Sequence, residues 1–142
     1  MPKLSCIIVE DEPLAVKILT DYIAQVPFLE LRGAFKDALL AADYLHEHSV
    51  DLMFLDIHLP KLRGMTFLRT LARPPAVVVT TAYHQYAVEG FNLNVTDYLL
   101  KPFEFERFFT AVNKVANSLQ PVESREKDFI FLSVQMKKVK IL

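Results

Sequence analysis

Short, continuous apolar segments alternate along this chain with segments whose apolar residues recur every three or four positions. The continuous segments are rich in β-branched residues, which is typical of strands that are buried on both faces. Such strands form parallel sheets whose two faces are covered by helices. The alternation therefore predicts a doubly wound α/β fold of five βα units, a (βα)5 sheet with five parallel strands.

The predicted elements follow one another at short intervals. The predicted strands cover residues 4–9, 28–35, 52–55, 76–80 and 98–100. The predicted helices start at Glu12-Pro13, run from the cap Asp37 to about His48, and cover 65–71, 84–91 and 105–119. Spacing predicts that the first helix buries one face made of Leu14, Ile18, Leu19, Tyr22 and Ile23. The last helix should bury Phe105, Phe108, Phe109, Val112, Val115, Ala116 and Leu119.

The composition supports one soluble globular domain of ordinary size. The chain has 142 residues, of which 52% are hydrophobic and 23% charged. A domain of this size can bury enough surface to fold without disulfide bonds or structural metal ions. Its net charge of −1 excludes an overall basic footprint for nucleic acid. The single cysteine, Cys6, has no internal disulfide partner and is expected to be a small core residue. With three glycines, neither GxGxxG nor a Walker A loop occurs.

The sequence offers no sign of a membrane or secretory segment. No apolar run approaches the roughly 20 residues of a transmembrane helix. The N-terminal MPKLSCIIVEDE turns acidic at once and leaves no room for the apolar core of a signal peptide. We therefore expect a cytoplasmic protein without membrane contact.

Polar side chains lie where four of the five predicted strands end. They are Glu10 and Asp11 after the first strand, Asp56 after the third, Thr80 and Thr81 at the fourth, and Lys101 after the fifth. Each signal alone is weak, because solvated loops, turns and helix caps use the same residue types. The carboxyl ends of parallel strands meet at one edge of the sheet, however, where open α/β sheets bind their ligands. The joint placement therefore predicts a functional site.

The residue types at this edge indicate chemistry on phosphate. Three carboxylates in one crevice repel one another unless a hard cation neutralises them, and oxygen ligands suit Mg²⁺ or Mn²⁺ rather than Zn²⁺. Lysine supplies a compact positive charge for phosphate, and a threonine hydroxyl can donate to a phosphate oxygen. An aspartate can act as a nucleophile and become an aspartyl-phosphate. Together these groups predict phosphoryl transfer to Asp56.

Four motifs resemble the receiver domain of two-component response regulators. They are IIVEDE at 7–12, LDIHLPKLRG at 55–64, TTA at 80–82 and YLLKPF at 98–103. The resemblance covers roughly residues 3 to 120 and implies the flavodoxin-like strand order 2-1-3-4-5. It also implies that a sensor histidine kinase phosphorylates Asp56. The implied ligands of Mg²⁺ (or Mn²⁺) are Glu10, Asp11, Asp56 and the backbone carbonyl of His58.

The same resemblance assigns the remaining site residues. Thr81 matches the switch hydroxyl, Tyr98 the switch aromatic residue and Lys101 the lysine that pairs with a phosphoryl oxygen. The Lys101–Pro102 bond is expected to be cis. His58 and Tyr83 match the two positions that flank the path of the hydrolytic water. We expect Tyr83 to shield the phosphoryl group, whereas for His58 both shielding and the orientation of a water stay open.

An output surface is expected on the face made by the predicted helix 84–91, the fifth strand and the last helix. Homodimerisation through this face would be controlled by Thr81 and Tyr98. The candidate contact residues on the face are Glu89, Asp97, Glu104 and Arg107.

The C-terminal residues differ from the rest of the chain in charge. Residues 125–142 carry five basic and two acidic side chains, and their alternating apolar residues favour strands. The segment 80–108 is similar to receivers that precede LytTR DNA-binding domains. We therefore expect a receiver domain at 1–120, a linker at 121–124 and, at 125–142, the truncated start of a LytTR-type output domain. DNA would be bound by that domain, which lies largely outside this chain.

Two other functions stay open at this point. The first is a Mg²⁺-dependent phosphatase or phosphotransferase with an Asp nucleophile, but the haloacid dehalogenase pattern requires a second Asp where this chain has His58. The second is a protein–protein interaction module that is never phosphorylated, against which the complete set of site residues argues. The favoured interpretation is a phosphorylation-controlled transcription regulator and not an enzyme.

The histidines at 46, 48, 58 and 84 are too dispersed to predict a metal site, and His46 and His48 are expected to face solvent.

Overall fold

The computed structural model describes residues 3–83 and 95–119 of the chain. The strands are β1 (Leu4–Val9), β2 (Leu29–Phe35), β3 (Leu52–Asp56), β4 (Ala76–Thr81) and β5 (Val95–Leu100). The helices in these ranges are α1 (Pro13–Ala24), α2 (Ala38–Glu47), α3 (Gly64–Thr70) and α4 (Phe105–Leu119). The predicted helix 84–91, with Glu89, and the predicted linker and output segment at 121–142 lie outside the described residues.

The five strands form one parallel sheet in the order β2-β1-β3-β4-β5, which confirms the predicted fold and strand order. The strand bounds agree with the sequence analysis to within one residue except at β5. That strand begins at Val95 and not at residue 98, with a shift of register on its partner between Val77 and Val78. The polar residues Thr96 and Asp97 at this sheet edge concealed the extension, because the prediction relied on continuous apolar character.

Each face of the sheet carries its own hydrophobic core. Successive side chains of a strand point to opposite faces, so alternate positions enter different cores. The α1/α4 face, defined as the face that these two helices cover, contains Cys6, Ile8, Leu52, Phe54, Val78 and Leu99. The α2/α3 face, covered by the other two helices, contains Ile7, Val9, Met53, Leu55, Val77 and Val79. The continuous apolar runs therefore reflect strands that are covered on both sides, as predicted.

The buried stripe of α1 is rotated away from the one predicted. Leu19 and Ile23 are buried as expected, but Leu14 is 62% exposed and Ile18 is 39% exposed. The partly buried Val16 completes the stripe that packs on the sheet. The apolar surface of α1 is wider than the surface it covers, so spacing alone did not select the residues that are buried.

The last helix differs from its prediction in the same way. Phe108, Val112, Val115 and Ala116 are buried as expected, together with Ala111. The prediction was wrong for Phe109 and Leu119, which are 38% and 44% exposed. Phe109 lies one position beside the buried stripe and stacks on Phe105 with ring centroids 5.9 Å apart, so it packs along the helix rather than into the core.

The predictions for Asp37, Cys6, His46 and His48 are confirmed. The Asp37 carboxylate caps α2 by accepting a hydrogen bond from the Leu40 backbone N–H at 2.9 Å. Cys6 is completely buried, and burial raises the pKa of its thiol to about 12. His46 and His48 are exposed at the end of α2. Across the described ranges, each helix is too short or too polar to cross a membrane.

Candidate functional site

Backbone hydrogen bonds extend the sheet past the ends of the strands and hold the predicted site residues in place. The N–H of Glu10 donates to the Phe35 carbonyl at 2.9 Å, beyond the end of β1. The N–H of Lys101 donates to the Thr81 carbonyl at 2.7 Å, beyond the end of β5. Asp56 is the last residue of β3 and pairs with Thr80 of β4. The carboxyl edge of the sheet therefore brings these groups together, as predicted.

The three acidic residues form a cluster. One carboxylate oxygen each of Glu10, Asp11 and Asp56 lies within 4.8 Å of the others. Glu10 and Asp56 are buried, with 2% and 6% exposure, whereas Asp11 is exposed. The donor set consists entirely of oxygen atoms and opens to solvent on the Asp11 side, which fits Mg²⁺ or Mn²⁺. The residues present therefore match the requirements of a hard divalent cation.

Lys101 contacts the two buried members of this cluster. Its Nζ donates to Glu10 Oε1 and lies 3.4 Å from Asp56 Oδ2. Burial alone would lower the pKa of Lys101, but the hydrogen bond to Glu10 and the nearby negative charges raise it above its usual value. The Lys101–Pro102 bond is cis, as the resemblance to receiver domains implies.

Glu10 is the acid whose proton affinity is changed most clearly. Burial, followed by its hydrogen bond with Asp56, raises the pKa of Glu10 to about 7, although Lys101 opposes the shift. Two carboxyl groups held close together in a poorly solvated place favour uptake of one proton. A cation that replaces this proton would remove the repulsion between them.

The peptide after Asp56 also contacts its carboxylate. The His58 N–H donates to Asp56 Oδ1 at 3.0 Å. This hydrogen bond fixes one oxygen of Asp56, while the other faces Lys101. The structure therefore places the His58 peptide against the Asp56 carboxylate, and the role of the His58 carbonyl as a metal ligand stays a prediction.

The predicted switch residues lie on the α2/α3 side of the site. Thr81 is completely buried, and its hydroxyl accepts a hydrogen bond from the Tyr83 N–H at 3.0 Å. This hydrogen bond joins Thr81 to the residues that directly follow β4. Tyr98 pairs with Val79 and packs, partly buried, against the core of the α2/α3 face. Burial raises the pKa of its hydroxyl. Neither side chain forms part of the carboxylate–lysine cluster in this structure.

His58 and Tyr83 meet at the mouth of the site. Their ring centroids are 4.7 Å apart and their planes are inclined by 59°. Both side chains are exposed to solvent. The structure thus brings together the two residues that were expected to flank the path of water to Asp56.

Two of the predicted output-face residues pair with each other. Arg107 donates to both carboxylate oxygens of Asp97 at 2.8 Å and to the Tyr98 carbonyl at 3.0 Å. Lys114 adds a contact to Asp97 at 3.1 Å. Glu104 is exposed. The backbone that carries Tyr98 is therefore tied to α4 by an ion-pair network that sequence spacing did not indicate.

A second loop contact was also missed by the sequence analysis. Lys61, in the loop after β3, has a positive φ of 68° and its Nζ lies 3.4 Å from Asp37 Oδ2. Asp37 also caps α2, and its pKa is lowered chiefly by the hydrogen bond from the Leu40 N–H. The loop next to the acceptor is thus joined to the start of α2. No periodicity relates these two residues, which lie 24 positions apart.

The parallel five-stranded sheet with an acid–lysine cluster at its carboxyl edge defines the class of a receiver domain. The family model "Response regulator receiver domain" matches residues 6–113. Because this match covers most of the chain, the chain belongs to the response regulator receiver family of two-component systems.

Comparison with individual proteins agrees with this assignment. The chain is 35% identical to Protein MrkE of Klebsiella pneumoniae over 143 aligned residues, which cover 92% of this chain and 53% of MrkE. It is 36% identical to Transcriptional regulatory protein LytR of Staphylococcus aureus (strain N315), with 79% of this chain and 47% of that protein covered. The chain thus spans about half the length of these relatives.

A solved structure gives the same result for the fold. The crystal structure of the response regulatory domain of protein mrkE from Klebsiella pneumoniae superposes with a TM-score of 0.74 at 36% identity. The superposition covers 81% of this chain and 97% of that domain.

Proposed function

We propose that Asp56 is the phosphoacceptor of this receiver domain and that a sensor histidine kinase supplies the phosphoryl group. The observation that carries the proposal is the position of the Asp56 carboxylate, which contacts Lys101 and clusters with Glu10 and Asp11. An Asp oxygen would attack the phosphorus of a phosphohistidine, forming the O–P bond as the P–N bond breaks. Positioning of the reactants and neutralisation of their negative charges would supply most of the catalysis of this phosphoryl transfer.

Glu10, Asp11, Asp56 and the backbone carbonyl of His58 would hold Mg²⁺ (or Mn²⁺). The bound ion would neutralise the carboxylates and the incoming phosphate oxygens. Lys101 would then shift from the carboxylates to a phosphoryl oxygen, for which its compact ammonium group is suited. The half-buried position of Lys101 supports this role, because its charge is screened little by water at the site.

Thr81 and Tyr98 would transmit the modification to the surface. The Thr81 hydroxyl would leave the Tyr83 N–H and turn to the phosphoryl group, and Tyr98 would move inward into the space this opens. The affected face consists of the predicted helix 84–91, β5 and α4, through which we propose homodimerisation. Sedimentation with and without beryllofluoride tests this, and an unchanged mass would contradict it.

The remainder of the protein would bind DNA. Residues 121–124 would form a linker, and residues 125–142 would begin a LytTR-type output domain. The match to MrkE supports this division because it covers 92% of the chain and must extend past residue 119. The name of the relative LytR, a transcriptional regulatory protein, supports a role in transcription rather than in metabolism.

Phosphorylation of purified protein tests the central proposal. With Mg²⁺ and an acyl phosphate, intact-mass analysis should show one added phosphoryl group on the wild type and none on Asp56→Asn. Asp43→Asn, which alters an exposed carboxylate of α2, is the matched control and should be modified like the wild type. Undiminished incorporation in Asp56→Asn would refute the assignment. Repeated turnover of a small phosphoester would instead favour the phosphatase alternative.

A further inference from the structure

The Thr80 hydroxyl lacks a hydrogen-bond partner although it is buried. Thr80 is 1% exposed, and within residues 3–83 and 95–119 its Oγ1 is the one buried side-chain polar atom that has no partner. Buried polar groups in native proteins are nearly always hydrogen-bonded, so an exception of this kind calls for an explanation. The family motif assigns the switch role to the neighbouring Thr81, and Thr80 has no part in the function proposed above.

The register of the sheet places Thr80 in the floor of the acidic site. Thr80 pairs directly with Asp56, and both lie two positions beyond residues of the α1/α4 core, Val78 and Phe54. On the other side Thr80 pairs with Leu99, which belongs to the same core, and Lys101 follows two positions later. Since alternate residues share a face, the side chains of Thr80, Asp56 and Lys101 stand on the same face of three adjacent strands.

A hydroxyl at this position is costly when the fold alone is considered. The three residues that precede Thr80 in β4 are the buried valines 77, 78 and 79, and valine has almost the same shape as threonine. A valine at position 80 would fill the same space without leaving a polar atom unsatisfied. In the metal-free protein, a methyl group at this position would therefore stabilise the fold at least as well as the hydroxyl does.

Lys101 supplies the group that can use this hydroxyl. Its ammonium carries three N–H donors and interacts here with Glu10 and Asp56, which are both proposed cation ligands. A cation bound by these carboxylates would compete for the same oxygen atoms. The Lys101 side chain is only 22% exposed, so water replaces the lost acceptors poorly. Thr80 carries an unused acceptor oxygen on the same face.

We propose that Thr80 is a positioning residue whose hydroxyl accepts a hydrogen bond from Lys101 once Glu10 and Asp56 are engaged by Mg²⁺. The hydroxyl holds the ammonium beside Asp56, ready to meet a phosphoryl oxygen. This inference rests on the proposed function of the acidic cluster. It also explains why an unsatisfied hydroxyl is retained directly beside the acceptor.

Thr80→Val tests whether the hydroxyl acts in the cation-bound state or has no role there. Two measurements decide between them: the stability of the metal-free protein and its affinity for Mg²⁺. If the hydroxyl serves the cation-bound state, the variant is at least as stable as the wild type without metal but binds Mg²⁺ about tenfold more weakly, as expected for the loss of a hydrogen bond to a charged group. Calorimetric titration with Mg²⁺ and urea unfolding of the metal-free protein give the two quantities. Thr80→Ser keeps the hydroxyl and should bind Mg²⁺ within about twofold of the wild type.

The outcomes separate this inference from the proposed function. Unchanged Mg²⁺ affinity in Thr80→Val, with the wild type binding normally, would overturn the inference and leave the Asp56 assignment intact. Failure of the wild type to bind Mg²⁺ would overturn both the cation site and the inference. Should Thr80→Val not fold, Thr80→Ala is the second hydroxyl-free variant. Its affinity must then be lower than that of Thr80→Ser for the inference to hold.

Discussion

A Cβ atom on Gly64 would lie 2.5 Å from the backbone carbonyl oxygen of Asp56 and 3.1 Å from the Cα of Ile57. The Gly64 N–H donates to the Ile57 carbonyl at 3.0 Å, so the loop after β3 turns back onto the acceptor. Gly64 is needed for this close approach and not for a positive φ, which it does not have. The first residue of α3 is thereby packed directly against the peptide that carries the proposed phosphorylation site.

Gly64→Ala should consequently affect both stability and the site. The obstructing atoms belong to the backbone, so relief requires a shift of the loop or of β3, and we expect a loss of about 1–3 kcal/mol in the free energy of unfolding. Weaker Mg²⁺ binding should accompany it, because Asp56 moves with its peptide. Urea unfolding and Mg²⁺ titration provide the measurements.

Gly33→Ala is the matched control. Its Cβ would meet only atoms at the far end of the Phe35 ring, at 3.2 and 3.3 Å, and no backbone atom within the same distance. We expect a smaller loss of stability and no change in Mg²⁺ affinity. Equal effects of the two substitutions would show that Gly64 has no special relation to Asp56.

Lys101 should be more important for the switch than for folding. Lys101→Ala leaves Glu10 and Asp56 without their cation, but Glu10 can take up a proton because its pKa is already raised to about 7. We therefore expect a cooperative unfolding transition with a loss of about 1–3 kcal/mol in metal-free protein. Phosphorylation of Asp56 should no longer change the NMR signals of Tyr98. An unfolded variant would instead make Lys101 a structural residue.

The pH dependence of cation binding should follow Glu10. A proton on Glu10 competes with Mg²⁺, so with a pKa of about 7 the affinity should be roughly tenfold lower at pH 6 than at pH 8. The free energy of unfolding of the metal-free protein should change in the opposite direction: it should fall as the pH rises, whereas Mg²⁺ affinity rises. A carboxyl group whose pKa is raised on folding stabilises the fold fully below its unfolded pKa, and this contribution is lost as the pH rises through about 7.

Glu10→Gln isolates this effect. In the metal-free variant the decline in stability between pH 5 and about pH 8 should be smaller than in the wild type. The variant should bind Mg²⁺ more weakly and with little change between these pH values. Identical pH profiles for the two proteins would assign the titration to another group.

Much of this architecture was predictable because strand periodicity reports burial directly. Apolar runs without alternation require two covered faces, and parallel strands bring Glu10, Asp56 and Lys101 to one edge whatever the details of packing. Which side of an apolar helix is buried depends on the width of the surface it meets, so Leu14 and Ile18 were placed wrongly. Alternation alone puts Thr80 on the Asp56 face, but whether its hydroxyl finds a hydrogen-bond partner depends on the three-dimensional packing around it.

The lifetime of the phosphorylated form should depend on the paired rings of His58 and Tyr83. Hydrolysis requires a water in line with the bond between the phosphorus and Asp56, and these rings stand 4.7 Å apart at the open side of the site. Tyr83→Ala should admit water and accelerate autodephosphorylation, on the order of tenfold. Tyr83→Phe keeps the ring and should resemble the wild type.

His58→Ala separates the two roles left open for His58: a faster rate indicates shielding, and a slower rate indicates that its ring orients the water. The measurement is phosphate release from purified phosphoprotein, and an unchanged or slower rate in Tyr83→Ala would exclude shielding by Tyr83 without affecting the assignment of Asp56.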